Sequence, residues 1–175
     1  MKIFSLLLFL SLSLFAKDAN WFVGIEGGTG GVAYMDNVKE IPRKFGLQYG
    51  LKVGVVNEIS RIYLGYSNVT NNSNKISATQ SGYLGLDGVG EEFQVFSKAT
   101  AKVFMGVTLG ASNSMLQDEE ENAFMGGVQI GLIFLLPADF EIEAAYRHQW
   151  SYKDKPTDFN TANPYVALNY KFYSF

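Results

Sequence analysis

Between residues 44 and 56 apolar residues alternate with small or polar ones. Phe45, Leu47, Tyr49, Leu51, Val53 and Val55 fall on one side of an extended chain; Gly46, Gln48, Gly50, Lys52 and Gly54 fall on the other. An amphipathic helix does not produce a two-residue period. The same rule sets Ile62, Leu64 and Tyr66 against Arg61, Tyr63 and Gly65, and Val103, Met105, Val107 and Leu109 against Lys102, Phe104, Gly106 and Thr108. It sets Phe124, Val128, Ile130, Leu132 and Phe134 against Gln129 and Gly131, and Ile142, Ala144 and Tyr146 against Glu141, Glu143, Ala145 and Arg147. The last segment repeats it, with Val166, Leu168, Tyr170 and Phe172 opposite Ala167, Asn169 and Lys171. A glycine-rich strand over 20–33 and one within 79–95, where Glu91 and Glu92 imply a bulge or an early end, bring the number to eight.

The connections alternate in length. Those at Tyr34–Arg43, Thr70–Ala78, Ser112–Asn122 and Ser151–Ala162 are long, and those at Asn57–Ser60, Ser97–Thr100 and Pro137–Asp139 are short. Tight turns at one end and longer polar loops at the other predict an all-β fold, an eight-stranded antiparallel up-and-down transmembrane β-barrel with its tight turns in the periplasm.

A soluble barrel or sandwich would bury the apolar face instead. The two arrangements make opposite demands on the polar face, which here combines many glycines with Glu26, Gln48, Lys52, Arg61, Lys102, Glu141, Glu143 and Arg147. A water-facing strand gains nothing from so much glycine, whereas a narrow lumen needs small residues beside paired charges. These eight residues are therefore the expected interior polar network, and lipid is expected outside. Trp21 and Phe172 at the periplasmic ends, and Tyr34, Trp150, Tyr152 and Tyr165 at the outer ends, are expected to form interfacial belts.

The amino terminus fits export. Met1-Lys2 precedes an apolar run, Ile3 to Ala16, which is short for a membrane-spanning helix and ends in a small residue. Residues 1–16 are read as a cleaved signal peptide, with Ala19 the alternative cleavage point, and residues 17–175 as the barrel domain. The chain has 175 residues, a formal charge of −3, no cysteine and one histidine. These values exclude a disulfide framework, a thiolate zinc site and a multi-histidine metal site, and give no basic field for nucleic acid.

The closing segment Tyr165-Val-Ala-Leu-Asn-Tyr-Lys-Phe172 resembles the terminal signal of outer-membrane barrels, an alternating strand ending in Tyr-x-Phe. The mature chain as a whole resembles the small OmpA/OmpX-type eight-stranded, porin-like family. That includes "EIEAAYRHQWSY", which is similar to the family's Gly-Tyr-Arg segment with Ala145 in place of glycine. The resemblance implies residence in the bacterial outer membrane. It implies contact with outer-membrane lipid and lipopolysaccharide, and handling by periplasmic chaperones and the barrel assembly machinery. Val166, Leu168, Tyr170 and Phe172 would be the assembly signal. The chain departs from the pattern by adding Tyr173-Ser174-Phe175, and Phe172 is taken as the recognised end because it shares the face of the other three.

Three candidate chemistries are weaker. "GIEGGTGGVAY", residues 24 to 34, lacks the Gly-Lys-Ser/Thr ending of a phosphate loop and opens no helix. His148 and Ser151 invite comparison with eight-stranded lipid A deacylases, whose His and Ser are separated by one residue and so share a strand face. Here two residues intervene, so the pair falls on opposite faces of a strand, and Tyr152 replaces the Asn that follows the Ser. Gln117-Asp-Glu-Glu-Glu-Asn122 lacks the spacing of a calcium loop and is read as a solvated loop. No enzyme activity, cofactor or metal is expected. The function read from the sequence is a structural or surface-interaction barrel with extracellular loops, whose ligand composition does not encode. A small pore for ions or solutes is the alternative, ahead of a lipid A-modifying enzyme.

Overall fold

Strands with one apolar face and one polar face must pair edge to edge, and pairing in chain order leaves two edges open unless the sheet closes. In the computed structural model it closes. The described residues are 19–36, 39–73, 76–96, 99–116, 119–152 and 157–173. They form eight antiparallel strands: β1 (Asn20–Asp36), β2 (Lys39–Val56), β3 (Ser60–Ser73), β4 (Ile76–Phe96), β5 (Ala99–Leu116), β6 (Glu119–Leu135), β7 (Phe140–Tyr152) and β8 (Thr157–Tyr173). Each pairs with the next, and β1 pairs with β8 from Asn20↔Tyr173 to Asp36↔Thr157, which closes the sheet. The predicted leader lies outside the described residues.

Two short turns show their chemistry. Asn57 Oδ1 accepts hydrogen bonds from the amides of Ile59 and Ser60 at 3.0 and 2.8 Å, an Asx-type turn between β2 and β3. Between β6 and β7, Ala138 and Asp139 both take left-handed φ, 60° and 62°. With Leu135 opposite Glu141 and the Leu136 amide donating to the Phe140 carbonyl at 2.9 Å, these two residues and Pro137 make a three-residue connection.

The strands run from 13 to 21 residues, whereas about 9–11 suffice to cross a bilayer at a barrel's tilt. The surplus corrects the sequence reading of the loops. Most of Tyr34–Arg43, Thr70–Ala78, Ser112–Asn122 and Ser151–Ala162 is strand, since β1 reaches Asp36 before β2 begins at Lys39 and β5 reaches Leu116 before β6 begins at Glu119. Glu119 to Glu121 of the acidic run thus lie in a strand, and Gln117 and Asp118 lie outside the described residues. Alternation fades where both faces of a hairpin meet water, but the backbone ladder continues without it. At Glu91-Glu92 the expected irregularity is a bulge, with a register shift between Val89 and Glu92, and β4 runs on to Phe96.

Candidate functional site

The alternation sorts side chains between two surfaces. Outside stand Ile25, Leu51, Leu64, Leu86, Met105, Val128 and Val166, of which Leu64 is 64% exposed. Inside stand Glu26, Gln48, Lys52, Arg61, Glu141, Glu143 and Arg147, all buried, with Arg147 and Glu143 at 0%. The barrel is apolar outward and polar inward, an inversion that hydrocarbon favours and water penalises. The chain is a transmembrane barrel.

Deep in the lumen three cations, Lys52, Arg61 and Arg147, meet three carboxylates, Glu26, Asp87 and Glu143. Glu143 Oε2 accepts from Lys52 Nζ at 2.6 Å and from an Arg61 guanidinium nitrogen at 2.8 Å, while its other oxygen accepts from the Tyr165 hydroxyl at 2.6 Å. Arg61 also donates to Asp87 Oδ2 at 2.7 and 3.1 Å. Arg147 grips both oxygens of Glu26, at 2.9 and 3.0 Å, in the two-pronged geometry that suits a guanidinium. Gln129 joins the two halves, donating to Asp87 Oδ1 at 2.6 Å and accepting from Arg147 Nε at 3.0 Å. Aromatic faces cover the cations: Arg61 lies 4.5 Å from the centre of the Phe104 ring, and Arg147 lies 4.6 and 4.5 Å from Tyr83 and Tyr165.

Glycines make room for these rings. Tyr63 faces Gly85 across the β3–β4 ladder and Tyr83 faces Gly65. A Cβ at either glycine would meet the ring of the opposing tyrosine. Glycines at the start of β1 relieve crowding of another kind, since a Cβ at Gly24 would strike the Asn169 side chain and one at Gly28 the Pro164 carbonyl and the Tyr165 backbone. This stretch forms no phosphate loop.

Two of the eight network residues lie nearer an end than expected, and one belt residue is reversed. Lys102 is inward-facing but near the short-turn mouth, pairing with the exposed Glu92 at 3.3 Å. Glu141 pairs there with Lys171 at 2.9 Å. Alternation fixes the face of a residue but leaves its depth open. Tyr165 points into the lumen and is 3% exposed. The belt positions Trp21, Trp150 and Phe172 do face outward, and the side chains of Tyr34 and Tyr152 lie outside the described residues. Asp87, Tyr63, Tyr83, Gln129 and Asn169 also face the interior; the alternation puts Tyr63, Gln129 and Asn169 on the polar face but does not single them out as network members. For Asp87 a signal existed in the alternation of Tyr83, Gly85 and Asp87 with Leu84 and Leu86.

His148 and Ser151 lie on opposite sides of the wall. His148 faces outward between Tyr146 and Trp150, while Ser151 faces inward within 3.4 Å of Ser112 Oγ. No nucleophile–base pair is assembled between them. The proposed terminal signal residues Val166, Leu168, Tyr170 and Phe172 form one outward stripe, and Phe172 stands opposite Trp21 of β1.

No protein-family model matches the chain, and no curated protein matches it in sequence. Solved structures do match. Neisserial surface protein A (NspA) is similar over 89% of this chain and 100% of its own, at 13% identity and a TM-score of 0.63. Outer membrane protein H (OprH) of P. aeruginosa is similar over 87% of this chain and 99% of its own, at 18% identity and a TM-score of 0.56. At these identities the likeness is one of fold, and it is to small eight-stranded outer-membrane barrels.

Proposed function

We propose that this chain is a bacterial outer-membrane barrel with a structural or surface-interaction role, its extended hairpins outside the cell and both termini in the periplasm. The observation that carries this reading is the inverted wall around an ion-paired lumen. An apolar belt needs a lipid partner, and the outer-membrane leaflets with their lipopolysaccharide supply it. The fold is also that of proteins named as a surface protein and an outer membrane protein. A small pore fits less well, because Arg61, Arg147 and their partners cross the space that a solute would use. Enzymatic modification of lipid A finds no support in the placement of His148 and Ser151.

A closed barrel of this kind should migrate differently on a detergent gel before and after boiling. Because the chain has no cysteine, single cysteines at Asn37, Asn72, Asp118 or Pro156 can be tested on intact cells with an impermeant thiol reagent. They are expected to react, and cysteines at Glu58 or Ala138 are not. Recovery of native protein in the soluble periplasm would refute the membrane reading, and labelling at Glu58 and Ala138 alone would invert the topology.

The outward stripe of β8 is the proposed assembly signal. Phe172→Ala should slow insertion by the assembly machinery while leaving refolding into detergent nearly unchanged, and Phe175→Ala should do neither. Slower insertion for Phe175→Ala alone would move the signal to the last residue.

A further inference from the structure

The mouth formed by the short turns is uneven. β3 begins at Ser60, opposite Gly88 of β4, and the last contact on that side is the Val89 amide donating to the Ile59 carbonyl at 2.8 Å. β4 continues to Phe96, paired on its other side with β5 through Glu92↔Lys102, Phe93↔Ala101, Gln94↔Thr100 and Phe96↔Ala99. From Gly90 to Phe96 the strand therefore has one hydrogen-bonding edge with no strand partner among the described residues. Barrel closure does not reach this segment. Beside the start of β3 at this mouth there is a cavity of about 490 Å³, lined by Glu58, Ile59, Glu91, Glu92 and Lys102 along with Val89 and Gly90. Ile59 of this lining is 71% exposed, and Phe93, the residue after Glu92 in β4, is 42% exposed.

We propose that this vacant strand position is a docking slot for an extended, basic segment of a periplasmic partner protein, bound by strand addition to the free edge of β4. The backbone edge supplies a ladder that is indifferent to sequence, and the flanking side chains supply selection. Three carboxylates, Glu58, Glu91 and Glu92, stand against one amine, Lys102, which is held by Glu92 at 3.3 Å. The lining thus favours cationic residues alternating with apolar ones that can cover Ile59 and Phe93. The same charges disfavour a second copy of this chain, since two such edges would bring their glutamates together. Glu91 and Glu92 at the bulge also guard the edge against indiscriminate pairing, so the slot is selective. The periplasmic location of the partner rests on the topology proposed above, and the strand addition itself does not.

The test uses the folded protein in detergent micelles and a blocked octapeptide of alternating lysine and valine. The readout is amide hydrogen exchange at Gly90 to Phe96. Saturable slowing by about tenfold or more is expected at edge amides in that segment, with the rest of the barrel unchanged. A glutamate–valine octapeptide and a lysine–valine octapeptide with two central prolines should have no effect. The double variant Glu58→Lys/Glu91→Lys should weaken the basic peptide by about threefold or more while still showing the heat-dependent gel shift. The proposal is overturned by an absence of saturable slowing, by equal binding of the acidic peptide, or by slowing that follows protein concentration without peptide, which would mean pairing of two copies. Cysteine labelling that inverted the topology would remove the periplasmic partner and leave a measured strand addition standing, so the two failures are distinguishable.

Discussion

Glu143→Gln is expected to destabilise the barrel by about 3–5 kcal/mol, the usual consequence of removing one member of a buried ion pair. The substitution keeps the volume and removes the charge. Two cations, Lys52 and Arg61, then share a lumen in which Glu143 had been their common anion at 2.6 and 2.8 Å. Arg61 retains Asp87 at 2.7 Å, but Lys52 has no second ion pair of that length among the described residues. Adding Lys52→Met to Glu143→Gln removes the uncompensated charge, so the double variant should be more stable than Glu143→Gln alone by about 1 kcal/mol or more. Urea unfolding in lipid vesicles, followed by the fluorescence of Trp21 and Trp150, measures both. Lys171→Met breaks the partly exposed pair with Glu141 at the mouth and should cost no more than about 1 kcal/mol. Equal effects at the centre and the mouth would mean that water reaches the deep pairs.

Leu51→Arg is the second large effect, at about 2–4 kcal/mol, as expected for a cation placed near the middle of a lipid-facing wall. Leu51 faces outward in β2 between Ile25 of β1 and Tyr66 of β3, and it is 56% exposed in the absence of lipid. If water covered this surface, arginine there would be harmless or helpful. Ile59→Arg makes the comparison direct: Ile59 is more exposed still, but it sits in a turn beyond the belt, and its replacement should change stability by no more than about 0.5 kcal/mol. Both are read in the same vesicle unfolding experiment. A small effect at Leu51 would leave the apolar belt without a lipid partner.

The strand number, the sheet closure and the faces of the alternating residues in β2, β3, β5, β6 and β7 were legible because a half-lipid, half-lumen strand writes a two-residue period into the chain. Tyr165 was legible too, since Val166 and Leu168 point outward and their neighbour must point inward. Its aromatic character suggested a belt, and the alternation rule was the better guide. What the period cannot encode is position along the barrel axis. Lys102 shares the inward face of Phe104, but β5 begins only three residues earlier, so its amine lies near the mouth. Partner choice was equally hidden. Arg147 meets Glu26 across 121 residues of chain only because β8 joins both β7 and β1. The hairpin extensions were missed for a different reason, because polar residues on both faces read as loop although the ladder needs only backbone.

A wall covered by lipid outside and filled by a dry polar network inside can be checked without substitution by methyl-resolved nuclear Overhauser contacts in detergent micelles. Methyl groups of Leu51, Leu64, Leu86, Val107 and Val128 should show contacts to detergent chains, while those of Val56, Val69 and Ile133, which point inward, should show none. Water contacts at the first set with no detergent contacts would contradict the account.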